Sequence, residues 1–281
     1  MTTALRITSA LARSPRLTEN EVFELFFFQS HQDCDLTQRD SRTVGTMKKI
    51  QTLLVDLDGT LVDSVEYQVQ VKFIGSFLLY WRKRGFGWSG LKVLQCIKRA
   101  LESPPSRLTN AQKVTQALET EFSIPEAEAH SALFDFSQGI FPSLEKHFYP
   151  VPGALEFIHW AFQHYPLILA TNPVWSPEIV EMRVKWAGLS IDHFKSVTNI
   201  HRMSSCKPRK EYYQELLHQE NLNPKNCLMI GNDLKQDGPA VKTGMKVFIL
   251  SRENRCVRKG PLLWSGNFSA LQRALQKGEF R

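Results

Sequence analysis

The chain has 281 residues, 42% of them hydrophobic and 22% charged, which is enough apolar side chain for a packed core and too little charge for overall disorder. Its formal charge of +7 is spread along the chain, with local clusters at Arg82, Lys83, Arg84 and at Lys207, Arg209, Lys210; that suits an anionic substrate, and no aromatic-basic module points to nucleic acid. The five cysteines form no CxxC pair and no apolar run reaches the ~18 residues of a membrane span, so a zinc site, a disulfide framework and a membrane partner are not expected.

Residues 1–46 differ from the rest. MTTALRITSALARSPRL carries arginines and hydroxyls without acids, faintly like an organelle transit peptide, but Glu19, Glu21, Glu24, Asp33, Asp35 and Asp40 follow, which such peptides avoid. This stretch is expected to be a poorly ordered extension with Met47 as a candidate start, and the scattered cysteines fit a reducing compartment, the cytoplasm. Ile50 to Asp56 is an apolar, β-rich run before a Gly-containing turn, the pattern of a buried parallel strand.

Residues 65–147 read as an inserted helical bundle. Val69, Phe73, Phe77 and Tyr80 recur at helical spacing, as do Val93, Ile97, Leu101 and then Ala129, Leu133, Phe136. Pro104 and Pro105 separate two helices, and Ser123-Ile-Pro-Glu126 suggests a helix start with Ser123 as N-cap. The aromatic cluster Phe73, Phe77, Tyr80 and Trp81 is expected to be the core of this bundle. After the punctuation Tyr149-Pro-Val-Pro-Gly153, strands and helices alternate: strands at 167–171, 194–197, 227–230 and 246–250, helices at 153–163, 177–187, 211–220 and 238–243. The fold class expected is therefore α/β, a Rossmann-like parallel sheet from 47–64 and 148–281 with an inserted α-helical domain at 65–147.

Active sites of open parallel sheets lie beyond the carboxyl ends of the strands. There this chain places Asp56 and Asp58, then Thr171 and Asn172, then Lys207 ahead of a helix, then Asp233 and Asp237. Phosphoryl transfer needs a nucleophile, a cationic clamp and a proton carrier, and carboxylates favour a hard divalent cation such as magnesium. In those terms Asp56 is the nucleophile and Asp58 the general acid and base. Thr171 bonds the phosphoryl group, and Lys207 neutralises it and holds Asp56 ionised. Asp233 ligates the metal and Asp237 completes or orients the acidic cluster. Gly59, Thr60 and Asn172 join Thr171 and Lys207 as phosphate-binding candidates.

These motifs, VDLDGTLVDS, LILATN, CKP and MIGNDLKQD, stand in one order over roughly Lys48 to Leu250. In that order the chain resembles the haloacid dehalogenase-like (HAD) hydrolases of the phosphatase type, with a helical cap after the first motif. The resemblance implies Mg2+ held by the Asp56 carboxylate, the Asp58 backbone carbonyl and an acid of the last motif. Many members place an Asp directly after the Gly of that motif; here Asn232 stands there and Asp233 follows, which leaves Asp233 and Asp237 both open as the ligand. The expected activity is hydrolysis of a phosphate monoester, a small phosphorylated metabolite, with the cap setting the substrate. A phosphomutase or a non-catalytic phosphate-binding protein are the alternatives, and the acid at Asp58 argues against a dehalogenase.

Overall fold

The computed structural model describes residues 50–86 and 90–280. The extension at 1–46 and the candidate start at Met47 lie outside them.

Strand β1 (Thr52–Val55) is buried along its whole length, as an apolar strand must be when helices cover both faces of its sheet. It pairs in parallel with β4 (Leu167–Leu169) on one side and β6 (Cys227–Gly231) on the other. Outward from these lie β5 (Ser196–Val197) and, at the opposite edge, β7 (Lys246–Leu250), β9 (Leu263–Gly266) and β8 (Val257–Arg258). The order is β5-β4-β1-β6-β7-β9-β8, parallel throughout except for the antiparallel β8–β9 pair. The chain builds outward from β1 in one direction through β4 and β5, then returns to build in the other. A crevice therefore opens at the carboxyl end of β1, where such sheets bind ligands.

Alternation along β1 splits the core. Leu53 and Val55 face one layer together with Ile158, Val180 and Leu271, and Leu54 faces the other with Tyr212, Tyr213 and Leu216. Those residues come from α5 (Ala154–Phe162), α6 (Pro177–Trp186) and α8 (Phe268–Lys277) on the first face and α7 (Lys210–Gln219) on the second. The strands expected from sequence are present but shorter at 167–169 and 196–197, and the segment Gly238–Thr243 is a 3-10 rather than an α-helix.

Between the first strand and the rest stands the helical insertion. It leaves and rejoins the core through an antiparallel ribbon of β2 (Val62–Ser64) and β3 (Phe148–Pro150). It comprises α1 (Glu66–Trp81), α2 (Gly90–Leu101), α3 (Asn110–Phe122) and α4 (Glu126–Ile140). Phe73, Phe77 and Trp81 are buried, and the rings of Phe73 and Phe77 both meet Phe136 edge-on, with centroids 5.4 and 5.2 Å away. The expected aromatic core is there, and it does not stop at the insertion: Trp175 of the sheet domain packs edge-on to Phe73 and Phe141 at 5.6 and 4.8 Å.

One helix start differs from expectation. Ser123 is not an N-cap; it closes α3 in the left-handed conformation (φ 55), and Pro125 precedes α4 with no side-chain cap. The real capping box belongs to α3, where Thr109 and Gln112 bond reciprocally. That capped end is seated on the sheet domain. The amides of Asn110 and Ala111 donate to the carbonyls of Met203 (2.7 Å) and Ile200 (2.9 Å). The Lys113 ammonium donates to the Ser204 carbonyl, and the buried Asn110 amide group reaches the Pro173 carbonyl (3.1 Å) and the Cys206 sulfur (3.3 Å). Donors that a helix start leaves unsatisfied are thus taken up by the loop preceding Lys207.

Candidate active site

Asp56 is the first residue past β1, and its amide still bonds to the Ile230 carbonyl of β6 at 2.9 Å, which fixes the carboxylate at the mouth of the crevice. The chain then turns sharply. Gly59 has φ +71, and a Cβ built on it would lie 2.2 Å from the Asn232 side-chain nitrogen. Only glycine supplies both that backbone and that close approach. The turn swings Thr60 inward, where its wholly buried hydroxyl lies 3.1 Å from an Asp56 oxygen and 3.1 Å from the Asn232 side-chain oxygen. One hydroxyl hydrogen serves one of these acceptors at a time.

Lys207, ahead of α7, reaches the same carboxylate from the other side. Its ammonium is 2.7 Å from Asp56 Oδ1 and 2.7 Å from Asp237 Oδ1, with the Lys207 and Asp237 side chains each 1% exposed. Burial by itself would lower this ammonium, but the Asp237 and Asp56 carboxylates outweigh it and hold Lys207 well above the ordinary lysine range. Asp237 is raised by its burial and pulled back by Lys207. Gly231 makes room for this, since a Cβ there would lie 2.0 Å from an Asp237 oxygen.

Thr171 lies just past β4. Its carbonyl accepts hydrogen bonds from the Thr198 hydroxyl (2.7 Å) and the Tyr212 hydroxyl (2.9 Å), while its own buried hydroxyl has no hydrogen-bond partner among the described residues. Asn172 accepts from the Lys207 amide at 3.2 Å, joining the second and third motifs. Tyr212, whose ring lies 5.8 Å from the Lys207 ammonium, is raised by burial and stays a neutral donor.

The two acids of the last motif differ in what they have to spare. Both Asp237 oxygens are engaged, one by Lys207 and the other by the Asp233 amide at 3.3 Å. Asp233 Oδ1 accepts the amides of Lys235 (2.6 Å) and Gln236 (3.3 Å), but its buried Oδ2 has no hydrogen-bond partner among the described residues. Burial raises this carboxyl. Among the described residues no group of three His, Cys, Asp or Glu side chains forms a ready-made metal cage. Magnesium does not need one, because it keeps waters and takes one or two carboxylates together with substrate oxygens. A bare buried Asp233 oxygen beside Asp56 fits that donor set.

Asp58 does not join the Lys207 cluster. Its carboxylate turns to the guanidinium of Arg183 on α6, a residue with no exposed surface. Burial lowers Arg183 to about 9, with Asp56 opposing that fall, so it remains a cation at neutral pH. Four carboxylates, Asp56, Asp58, Asp233 and Asp237, therefore face two buried cations, Lys207 and Arg183.

Of the residues expected from sequence, Asp56, Thr60, Lys207, Asp237 and Asn172 are directly linked, Gly59 packs against Asn232, which Thr60 also meets, and Thr171 and Asp233 stand alongside. Arg183, Tyr212, Thr198 and Asn110 were not anticipated. The signal for Arg183 was present, since it sits in register with Ile179, Val180 and Val184 on the buried stripe of α6.

The haloacid dehalogenase-like hydrolase family model matches residues 50–244. A HAD phosphatase from Thermococcus onnurineus is similar in structure, with 17% identity, 82% of this chain and 98% of that chain covered, and a TM-score of 0.51. YfnB, a HAD hydrolase from Bacillus subtilis solved bound to magnesium, covers 81% of this chain and 99% of its own at 18% identity and a TM-score of 0.48. L-2-haloacid dehalogenase from Xanthobacter autotrophicus gives 16% identity, 83% and 84% coverage and a TM-score of 0.40. No curated protein sequence matches the chain. At these identities the structural likeness is one of fold, whereas the family match spans well over half of the chain: the protein belongs to the haloacid dehalogenase-like hydrolases.

Proposed function

We propose that the protein is a magnesium-dependent phosphohydrolase that takes the phosphoryl group of a small phosphorylated metabolite onto Asp56. The observation that carries this reading is the buried Lys207 ammonium, 2.7 Å from both Asp56 and Asp237. It lies against Asp56 at the sheet mouth and places positive charge where phosphoryl oxygens would arrive.

Asp56, the Asp58 backbone carbonyl and the bare Asp233 oxygen would hold Mg2+, which when bound neutralises charge on the phosphoryl oxygens. Asp237 serves as the partner that fixes Lys207. The unpartnered Thr171 hydroxyl and the Lys207 ammonium bond the phosphoryl group. An Asp56 oxygen attacks phosphorus as the bond to the ester oxygen breaks, and Asp58 gives its proton to the departing alkoxide. In the second half Asp58 takes a proton from water as that water attacks the aspartyl-phosphate and Asp56 is released.

The helical insertion acts as the cap. A cavity of about 80 Å3 lies between it and the sheet domain, walled by Thr115, His130 and Phe134 on one side and by Val174, Trp175 and His201 on the other. Val174 and Trp175 follow Asn172 closely in the chain, so the wall continues from the phosphate loop, and cap side chains select the organic part of the substrate. Among the described residues no helix is long and apolar enough to cross a membrane, and free Cys96, Cys206 and Cys227 suit the reducing cytoplasm.

The test is phosphate release from a panel of aryl and alkyl phosphates, with magnesium or with chelator, beside Asp56→Asn. Magnesium-dependent turnover lost in Asp56→Asn is expected. Turnover that survives the substitution, or that ignores the metal, overturns the reading.

A further inference from the structure

The four carboxylates of the site are not held alike. Asp56 is fixed by Lys207 and Thr60, Asp237 by Lys207 and the Asp233 amide, and Asp233 by two backbone amides. Asp58 has none of these supports. Among the described residues its buried Oδ1 meets one cation, the Arg183 guanidinium. The dependence is mutual. Arg183 lies within the apolar inner face of α6, wholly buried, and among the described residues its ion-pair partner is Asp58. A buried guanidinium is costly unless paired, and an apolar side chain would pack that interface at less cost. Helix α6 starts five residues after Asn172, so the helix that carries Arg183 is tied to the phosphate loop.

We infer that Arg183 is a positioning residue, whose guanidinium sets the place of the Asp58 carboxyl for proton transfer to the leaving group. This rests on the phosphohydrolase reading above. Arg183 acts through the Asp58 carboxyl it is paired with; its charge also reaches Asp56, an effect that does not vary with the leaving group. Its contribution therefore grows with the need for a proton, being large when the departing alkoxide is strongly basic and small when it leaves unaided.

The experiment measures kcat/KM, which reports the steps through departure of the alcohol, on phenyl phosphate and on nitro-substituted phenyl phosphates with magnesium saturating. Wild type, Arg183→Met and Arg183→Lys are compared, with thermal melts to establish folding. The expected result for Arg183→Met is a loss of roughly 10²-fold on phenyl phosphate, the scale of general acid catalysis, shrinking to about 3-fold or less on the best leaving group. In an Asp58→Asn background the same change adds nothing on phenyl phosphate, because the two residues act as one unit. A uniform loss across the series, or an additive loss in the Asp58→Asn background, makes Arg183 a structural residue and overturns the inference. If Arg183→Met does not fold, Arg183→Lys decides, with the same graded loss required and a uniform or absent loss again refuting. A wild type inert on every ester with or without magnesium removes the phosphohydrolase reading itself, an outcome distinct from a flat loss in the variants.

Discussion

Replacing Lys207 by Met leaves two buried carboxylates facing each other with the shared cation gone. The side chains of Lys207 and Asp237 are each 1% exposed and that of Asp56 10%, so water cannot stand in for the ammonium. Breaking a buried pair from one side costs about 3–5 kcal/mol, a large part of a total stability of about 5–15 kcal/mol. The cost depends on pH with a definite sign. Asp237 is already raised by burial, and losing the lysine raises it further above its unfolded value. A group raised on folding contributes stability that is present below its unfolded pKa and lost as pH climbs through the folded one. The variant should therefore be weakest relative to wild type at pH about 7.5 and recover toward pH about 5, by up to ~1.4 kcal/mol for each pH unit over which one extra proton is held. Urea unfolding of both proteins in chelator, at the two pH values, measures this. Adding Asp237→Asn to the variant should restore much of the loss at the higher pH. A deficit below about 1 kcal/mol at pH ~7.5, or one that does not narrow on acidification, would refute the buried triad as the basis of Lys207's placement.

Two further outcomes are expected. Gly59→Ala should cost about 1–2 kcal/mol for its left-handed backbone alone and more from the collision with Asn232. Asn232→Ala in the same chain should relieve the second part but not the first, and strict additivity in a double-mutant cycle would show that the two loops do not approach as described. Magnesium should raise the melting temperature of the wild type, and Asp233→Asn should lose most of that rise. Asp237→Asn should lower stability in chelator yet keep a magnesium response, and a full response in Asp233→Asn would move the ligand away from that residue.

The sheet was legible because buried parallel strands are near-continuous apolar runs, as in Thr52–Val55 and Cys227–Gly231. The β2–β3 ribbon was not. Val62–Ser64 is three residues long and becomes a strand only by meeting Phe148–Pro150 across the whole insertion. Helix α8 carried local signals that went unused, with Asn267 capping the Ala270 amide and Gly278 ending it in the left-handed conformation. Ser123 shows the opposite failure, where a residue suited to an N-cap serves as the left-handed end of the preceding helix. In the site, motif order was enough to gather Asp56, Lys207 and Asp237. It could not tell Asp233 from Asp237, because that depends on which oxygens the fold has already engaged. Nor could it find Arg183, whose role exists only through α6 lying against the first loop.

The seating of α3 on the loop before Lys207 bears on how separable the insertion is. An insertion on a two-strand stalk invites excision, with a short linker from Ser64 to Phe148. Cutting there would uncover Trp175 and Val174, remove the donors that occupy the Met203 and Ile200 carbonyls, and free the Cys206 side of the loop from Asn110. The trimmed sheet domain would expose an apolar face and a loosened lysine loop together. Exchanging insertions between relatives to change selectivity would meet the same obstacle. The graft has to bring its own Asn110 and Lys113 equivalents, or be moved together with residues 199–206, before its lining can be judged.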